Sequence, residues 1–131
     1  MQFIIAEADV RNNTGGTAEG YTAYLNGISA GFEELGLPEA AFDTYVSQKN
    51  IAPDAGSLTL DKVMTQKYIA LFACPEVHFD WLRTGVPNLT PTRGDLIPVR
   101  WEYSSDEYSF NENAPQPGTI NIFTDKVGWN R

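Results

Sequence analysis

Tyr21, Tyr24, Leu25, Ile28, Phe32 and Leu35 recur at spacings of three and four, and Gly36-Leu37-Pro38 stops them abruptly. A stripe with a period near 3.6 marks the apolar face of an α-helix, whereas a strand would alternate. Thr17 stands where an N-cap belongs, and Glu19 places a negative charge in the first turn, as the helix dipole favours. At the other end Gly36 suits a left-handed C′ position, Leu37 supplies the accompanying apolar contact and Pro38 blocks continuation. Such a face has to be covered by other elements, so the chain is expected to be mainly α.

The neighbouring segments agree. Phe3, Ala6 and Val10, with Ile4 and Ile5, suggest a short helix that stops in the breaker run Asn12 to Gly16. A third helix opens at Pro38 or Glu39 and carries Phe42, Tyr45 and Val46 inward. Residues 50–57 read as a loop. Thr59 then caps a fourth helix with Leu60, Val63, Met64, Tyr68, Leu71 and Phe72 on its inner face, and Pro75 ends or kinks it. Cys74 is expected in the core. A shorter helix with Val77, His78, Trp81 and Leu82 ends at Gly85. From Pro75 onward lie six of the eight prolines, and only Leu96–Tyr103 and Thr119–Thr124 look extended, with Ile120 and Ile122 alternating. The expectation is a single segment over residues 1–131: helical hairpins in 1–84, then an irregular tail in 85–131 that wraps over helices and holds one or two short strands.

With 131 residues the chain suffices for one domain, and its formal charge of -8 disfavours contact with phosphate backbones, so no nucleic-acid partner is expected. One cysteine excludes an internal disulfide, and with a single histidine a structural zinc site is not expected. No nucleophile elbow, P-loop, zincin or EF-hand motif occurs, so neither a catalytic residue nor a cofactor is assigned. His78 reads as a half-buried helix residue. Asn12-Asn13-Thr14 and Asn88-Leu89-Thr90 match a glycosylation acceptor short enough to arise by chance. The opening residues lack a basic region and a cleavage site, so the chain reads as beginning inside a helix, with no signal peptide or lipidation site of its own.

Residues 100–108, Arg100-Trp101-Glu102-Tyr103-Ser104-Ser105-Asp106-Glu107-Tyr108, hold the ingredients of a carbohydrate site. Aromatic faces stack on the C–H faces of sugar rings, and carboxylates accept hydroxyl hydrogen bonds. Trp101 and Tyr103 are the leading candidates, Glu107 is a hydroxyl acceptor and Trp129 follows behind them. The competing reading makes Trp101 and Tyr103 anchors that pin the tail. Paired carboxylates for glycoside hydrolysis would need a defined separation across a cleft. Arg83-Thr84-Gly85 is a structural constellation: Gly85 permits a left-handed helix end, and Arg83 lies where a cation suits the helix C-terminus, with Asp80 or an acid of the tail as its partner.

The run Phe79-Asp80-Trp81-Leu82-Arg83-Thr84-Gly85-Val86-Pro87-Asn88-Leu89-Thr90-Pro91 resembles the signature of the SusD/RagB family, an acidic-aromatic helix end leading into Arg-Thr-Gly-x-Pro. Ile97-Pro98-Val99-Arg100, then Tyr103, Glu107-Tyr108, Asn111 and Asn113, are similar to the family's next block. Upstream, Phe3 with Ala6-Glu7-Ala8, the helix from Thr17 to Phe32, and Gln66-Lys67-Tyr68-Ile69-Ala70-Leu71-Phe72 resemble earlier family helices in the same order. The chain departs from the pattern at Leu82, where the family usually has a first arginine, at Ser104, where it has proline, and at Gly128-Trp129-Asn130. The resemblance covers the C-terminal portion of a family member. Asp80, Trp81, Arg83, Gly85, Pro87, Pro98 and Arg100 carry over as a structural signature.

This resemblance implies tetratricopeptide-like hairpins in a surface glycan-binding lipoprotein of Bacteroidetes. It implies residence at the outer membrane, an oligo- or polysaccharide ligand and a TonB-dependent, SusC-like transporter as partner, with glycan handed on uncleaved. Family ligand residues lie mostly outside this portion, so Trp101, Tyr103, Glu107 and Trp129 rest on their own chemistry. A helical scaffold that binds protein, with no direct sugar contact, is the alternative.

Overall fold

The apolar stripes become helices in the computed structural model, which describes residues 1–51 and 54–128. Helices α1 (Gln2–Asn12), α2 (Ala18–Glu34), α3 (Glu39–Val46), α4 (Leu60–Ala70) and α5 (Glu76–Thr84) follow in order, with a short 3-10 turn at Ala55–Ser57 before α4. A further helix, α6 (Ser105–Phe110), lies in the tail. The chain divides into two units, Met1–Pro87 and Asn88–Arg131.

In the first unit the caps fix the helix ends. Thr17 Oγ1 accepts the Gly20 N–H at 3.1 Å, and Thr59 Oγ1 accepts that of Lys62 at 3.3 Å. At the end of α2, Gly36 has φ +66. Its N–H donates to the Glu33 carbonyl at 3.0 Å and that of Leu37 to Phe32 at 2.9 Å, the two bonds of a Schellman ending.

Contacts along the helices give their directions. Asp9, late in α1, accepts the Thr17 N–H at 2.7 Å, while Phe3, early in α1, packs edge-on against Tyr24 with ring centroids 6.4 Å apart. α1 and α2 are therefore antiparallel. α4 runs parallel to α2, because Leu58 just before it meets Gly16 and Ala70 at its end meets Gly31. Gly20 lets α1 approach α2 closely: a Cβ there would fall 1.9 Å from Asp9 Oδ2.

Phe3 and Ala6 from α1, Ala23, Tyr24 and Ile28 from α2, Ile51 and Leu58 from the loops and Val63 from α4 form the core, with Met64 also buried. Full burial of each large member stabilises by about 1.5–3 kcal/mol. Phe42, Tyr45 and Val46 of α3 pack against this core half-buried, as their spacing predicts. Burial drives the phenol of Tyr24 well above its ordinary pKa.

Two expectations at the end of α4 are corrected. The helix stops at Ala70, and the Phe72 and Cys74 amides turn back onto the Ile69 and Leu71 carbonyls. Phe72 is consequently 81% exposed rather than inward-facing, and Cys74 is exposed rather than in the core. Ala73 then takes φ +67, and Pro75 keeps the chain from resuming the same helix, since a proline drives the residue before it out of the helical region.

The second unit is built from turns. Among the described residues it contains no strand, which corrects the expectation for Leu96–Tyr103 and Thr119–Thr124. A lone backbone bond, from the Val99 N–H to the Ile122 carbonyl at 2.8 Å, joins the two segments. Pro98 has no amide to extend a ladder. Asn121 instead closes a local turn: its N–H donates to Asp125 Oδ2 at 2.9 Å and its side chain accepts the Phe123 N–H at 3.0 Å. No residue of 88–128 is fully buried.

Candidate functional site

Two groups of side chains, one in each unit, gather the residues singled out in the sequence. In the first unit the signature ends α5. Gly85 takes φ +70 and its N–H donates to the Trp81 carbonyl at 2.7 Å, a left-handed ending that glycine adopts without strain. Thr84 Oγ1 donates to the Asp80 carbonyl at 2.7 Å and accepts the Val86 N–H at 3.2 Å, which fixes the turn into a cis Val86–Pro87 peptide. Trp81 stacks on His78 with centroids 5.9 Å apart.

Arg83 anchors this turn to the rest of the unit. Its Nη2 reaches Asp80 Oδ1 at 2.8 Å, the partner expected from sequence. Its second partner is Glu7 of α1, held through two bonds at 2.5 and 2.9 Å. Arg11 Nε also reaches Glu7 at 2.9 Å, and Lys67 Nζ of α4 reaches Asp80 at 2.6 Å. Glu7 is buried, and the hydrogen bond from Arg83 outweighs that burial and holds its carboxyl below the ordinary range. The same pairing raises the Arg83 guanidinium further. Sequence reasoning missed Glu7, although an acid on the face shared by Phe3, Ala6 and Val10 was a signal that it needs a cation.

In the second unit Tyr103 sits between Arg100, whose guanidinium carbon lies 5.5 Å from the ring centroid, and Tyr108, which meets it edge-on at 6.1 Å. Ser104 caps α6 by accepting the Glu107 N–H at 3.3 Å. The helix was missed, yet Ser104-x-x-Glu107 is a capping-box spacing and could have found it. The Glu107 carboxylate accepts a hydrogen bond from the Asn111 amide. Trp101 is 71% exposed, and Tyr103, Phe110 and Phe123 are also exposed. Tyr103, Arg100 and Glu107 thus lie within one short stretch around the start of α6, while Pro98 is exposed beside it. Trp129 falls outside the described residues.

A third feature is a cavity of ≈ 430 Å³ in the first unit, between the end of α2 and the end of α4, lined by residues including Ile28, Phe32, Leu35, Ile69 and Phe72. Tyr45 donates to Gln66 Oε1 within its lining at 2.8 Å. With Glu34, these are the few polar groups there, which is a poor match for a hydroxyl-rich sugar. Among the described residues no cluster of His, Cys, Asp or Glu could hold a metal ion, and no helix is long and apolar enough to cross a membrane.

Residues 1–104 match the model of the SusD-like family described as starch-binding and associating with the outer membrane. That match takes in the signature turn, Trp101 and Tyr103, and stops before Glu107. No curated protein and no solved structure matches the chain.

Proposed function

Because the chain belongs to the SusD-like family, we propose that it serves non-enzymatic glycan binding and nutrient uptake at the bacterial outer membrane. The observation that carries this reading is the family match itself, which runs from α1 through the signature turn. In the full proposal the chain is part of a SusD/RagB-type lipoprotein of Bacteroidetes that passes oligo- or polysaccharide to a SusC-like, TonB-dependent transporter. The antiparallel α1–α2 hairpin followed by a parallel α4 supports a tetratricopeptide-like arrangement.

Within the chain, Trp101 and Tyr103 are proposed to stack on sugar rings, Glu107 to accept a hydroxyl and Trp129 to assist. Exposure of the first two rings in an irregular region supports that assignment, since binding residues concentrate on such segments. The alternative, a helical scaffold for protein contacts, draws support from the apolar lining of the first unit's cavity. Co-sedimentation with insoluble starch and other polysaccharides, alongside capture of a transporter barrel from solubilised outer membrane, separates the two. Retention on polysaccharide supports the glycan reading. Capture of the barrel without any retention on polysaccharide would overturn it in favour of the scaffold.

A further inference from the structure

Helix α5 is attached to the first unit in a different way from its neighbours. α1, α2 and α4 are joined through fully buried apolar side chains, whereas α5 contributes no fully buried residue. Its Val77, His78, Trp81 and Leu82 are only half-buried, and charge supplies the rest of its hold. Lys67 of α4 and Asp80 of α5 pair at 2.6 Å with side chains only 13% and 16% exposed, and Arg83 of α5 grips Glu7 of α1 through both guanidinium nitrogens. Arg11 of α1 shares Glu7. These five residues supply every ion pair among the described residues, and α2 adds none to the cluster. Two acids thus serve three cations on three helices, so neutralising Glu7 strips Arg11 of its partner and leaves Arg83 of α5 with no charged hold on α1.

We propose that α5 is an electrostatically clasped arm that leaves α1 and α4 as a unit when acid or salt weakens the Glu7–Arg83–Asp80–Lys67 cluster, while the α1–α2–α4 core stays folded. Parts of a fold with few buried apolar contacts open before the core, and here the apolar contribution is smallest where the charges are densest. The direction of the acid response follows from Glu7. Its carboxyl titrates below its unfolded value. The clasp is therefore at full strength above the ordinary carboxylate range and is lost as pH falls through the folded value. Salt acts at any pH, most on the half-exposed Arg83 side. Opening would free the turn that carries Trp81, Arg83 and Gly85, the segment from which the second unit continues.

Hydrogen exchange of the full chain at neutral pH tests this. Raising sodium chloride to roughly 1 M, where the screening length is about 3 Å, is expected to lower protection of the α5 amides about tenfold, with α5 exchanging at least tenfold faster than the most protected amides of α2 and α4 at every salt concentration. Glu7→Gln, which mimics the protonated acid, is expected to reproduce that loss at low salt. Should the variant fail to fold, the salt series on the unaltered chain stands alone. Protection in α5 equal to that of the most protected α2 and α4 amides, or that does not respond to salt, would overturn the clasp.

Discussion

Replacing Gly20 by alanine sets helix propensity directly against packing. Propensity alone makes the change favourable, because alanine in a helix interior is worth about 1 kcal/mol over glycine. The structure gives the opposite sign. The new Cβ would lie 1.9 Å from Asp9 Oδ2, 2.2 Å from its Cγ and 2.6 Å from its Cβ. Rotating the carboxylate relieves the first two contacts but not the third, which the α1 backbone fixes. Rotation also takes Asp9 away from the Thr17 N–H and hydroxyl, which it now holds at 2.7 and 2.8 Å. Losing these bonds to the capping residue costs about 0.5–1.5 kcal/mol and overpacking a tight contact about 1–3 kcal/mol. After the propensity gain, the expected net loss is about 2 kcal/mol, which for a domain of this size lowers Tm by about 10 °C. Thermal and urea unfolding followed by far-ultraviolet circular dichroism reads it. The double variant Asp9→Ala, Gly20→Ala should lose less than the two single losses together, since the Asp9–Thr17 bonds can be lost only once. A neutral or stabilising Gly20→Ala, or strict additivity, would refute the reasoning.

Gly85→Val is expected to destabilise by roughly 1–3 kcal/mol, entirely through the backbone at φ +70, because an added Cβ meets nothing within 4 Å; an unchanged melting curve would count against it. Glu7→Gln should cost about 1–3 kcal/mol at neutral pH, less than a fully buried pair because the Arg83 side chain is 42% exposed. It should also flatten the fall in stability on the acid side, where the parent chain loses the contribution of its depressed carboxyl; urea midpoints measured across pH check both. Tyr103→Leu should disturb the Arg100 and Tyr108 contacts and cost less than about 1.5 kcal/mol, since aromatic pairs add about 0.5–1.5 kcal/mol beyond their area; a cooperative loss of the first unit would contradict this.

What was legible in the sequence was local. Thr17, Thr59, Gly36 and Gly85 act within a few residues of themselves, and the structure places each at the helix end that its type suggests. The apolar period of α2 carried over for the same reason: 3.6-residue spacing is a property of one helix. The partner of Glu7 was not legible because Arg83 lies 76 residues away, and only the packing of both α1 and α5 against α4 brings them together. The expected strands failed because Ile120 and Ile122 alternate while Asn121 and Asp125 between and after them prefer to close a turn. Phe72 continues the inner stripe of α4 in sequence, yet the helix ends two residues before it. The α6 cap was present as Ser104 and Glu107, concealed in a stretch read for its aromatics alone. At the candidate site the sequence grouped aromatic and acidic residues, and the structure adds what surrounds them: the cation over Tyr103 and the amide on Glu107.

We propose above all that this chain contacts glycan through its exposed tail aromatics, with Trp101 foremost. Titration calorimetry of the full chain against a panel of oligosaccharides, malto-oligosaccharides first, tests it most directly when the Trp101→Ala variant is run beside it. Trp101 is mostly exposed, so the variant should keep its melting temperature while losing about 1–3 kcal/mol of binding free energy, as a stacking hot spot would. Heat with at least one oligosaccharide, lost in the variant, is the expected result. No heat with any sugar, or equal affinity in both proteins, would contradict it.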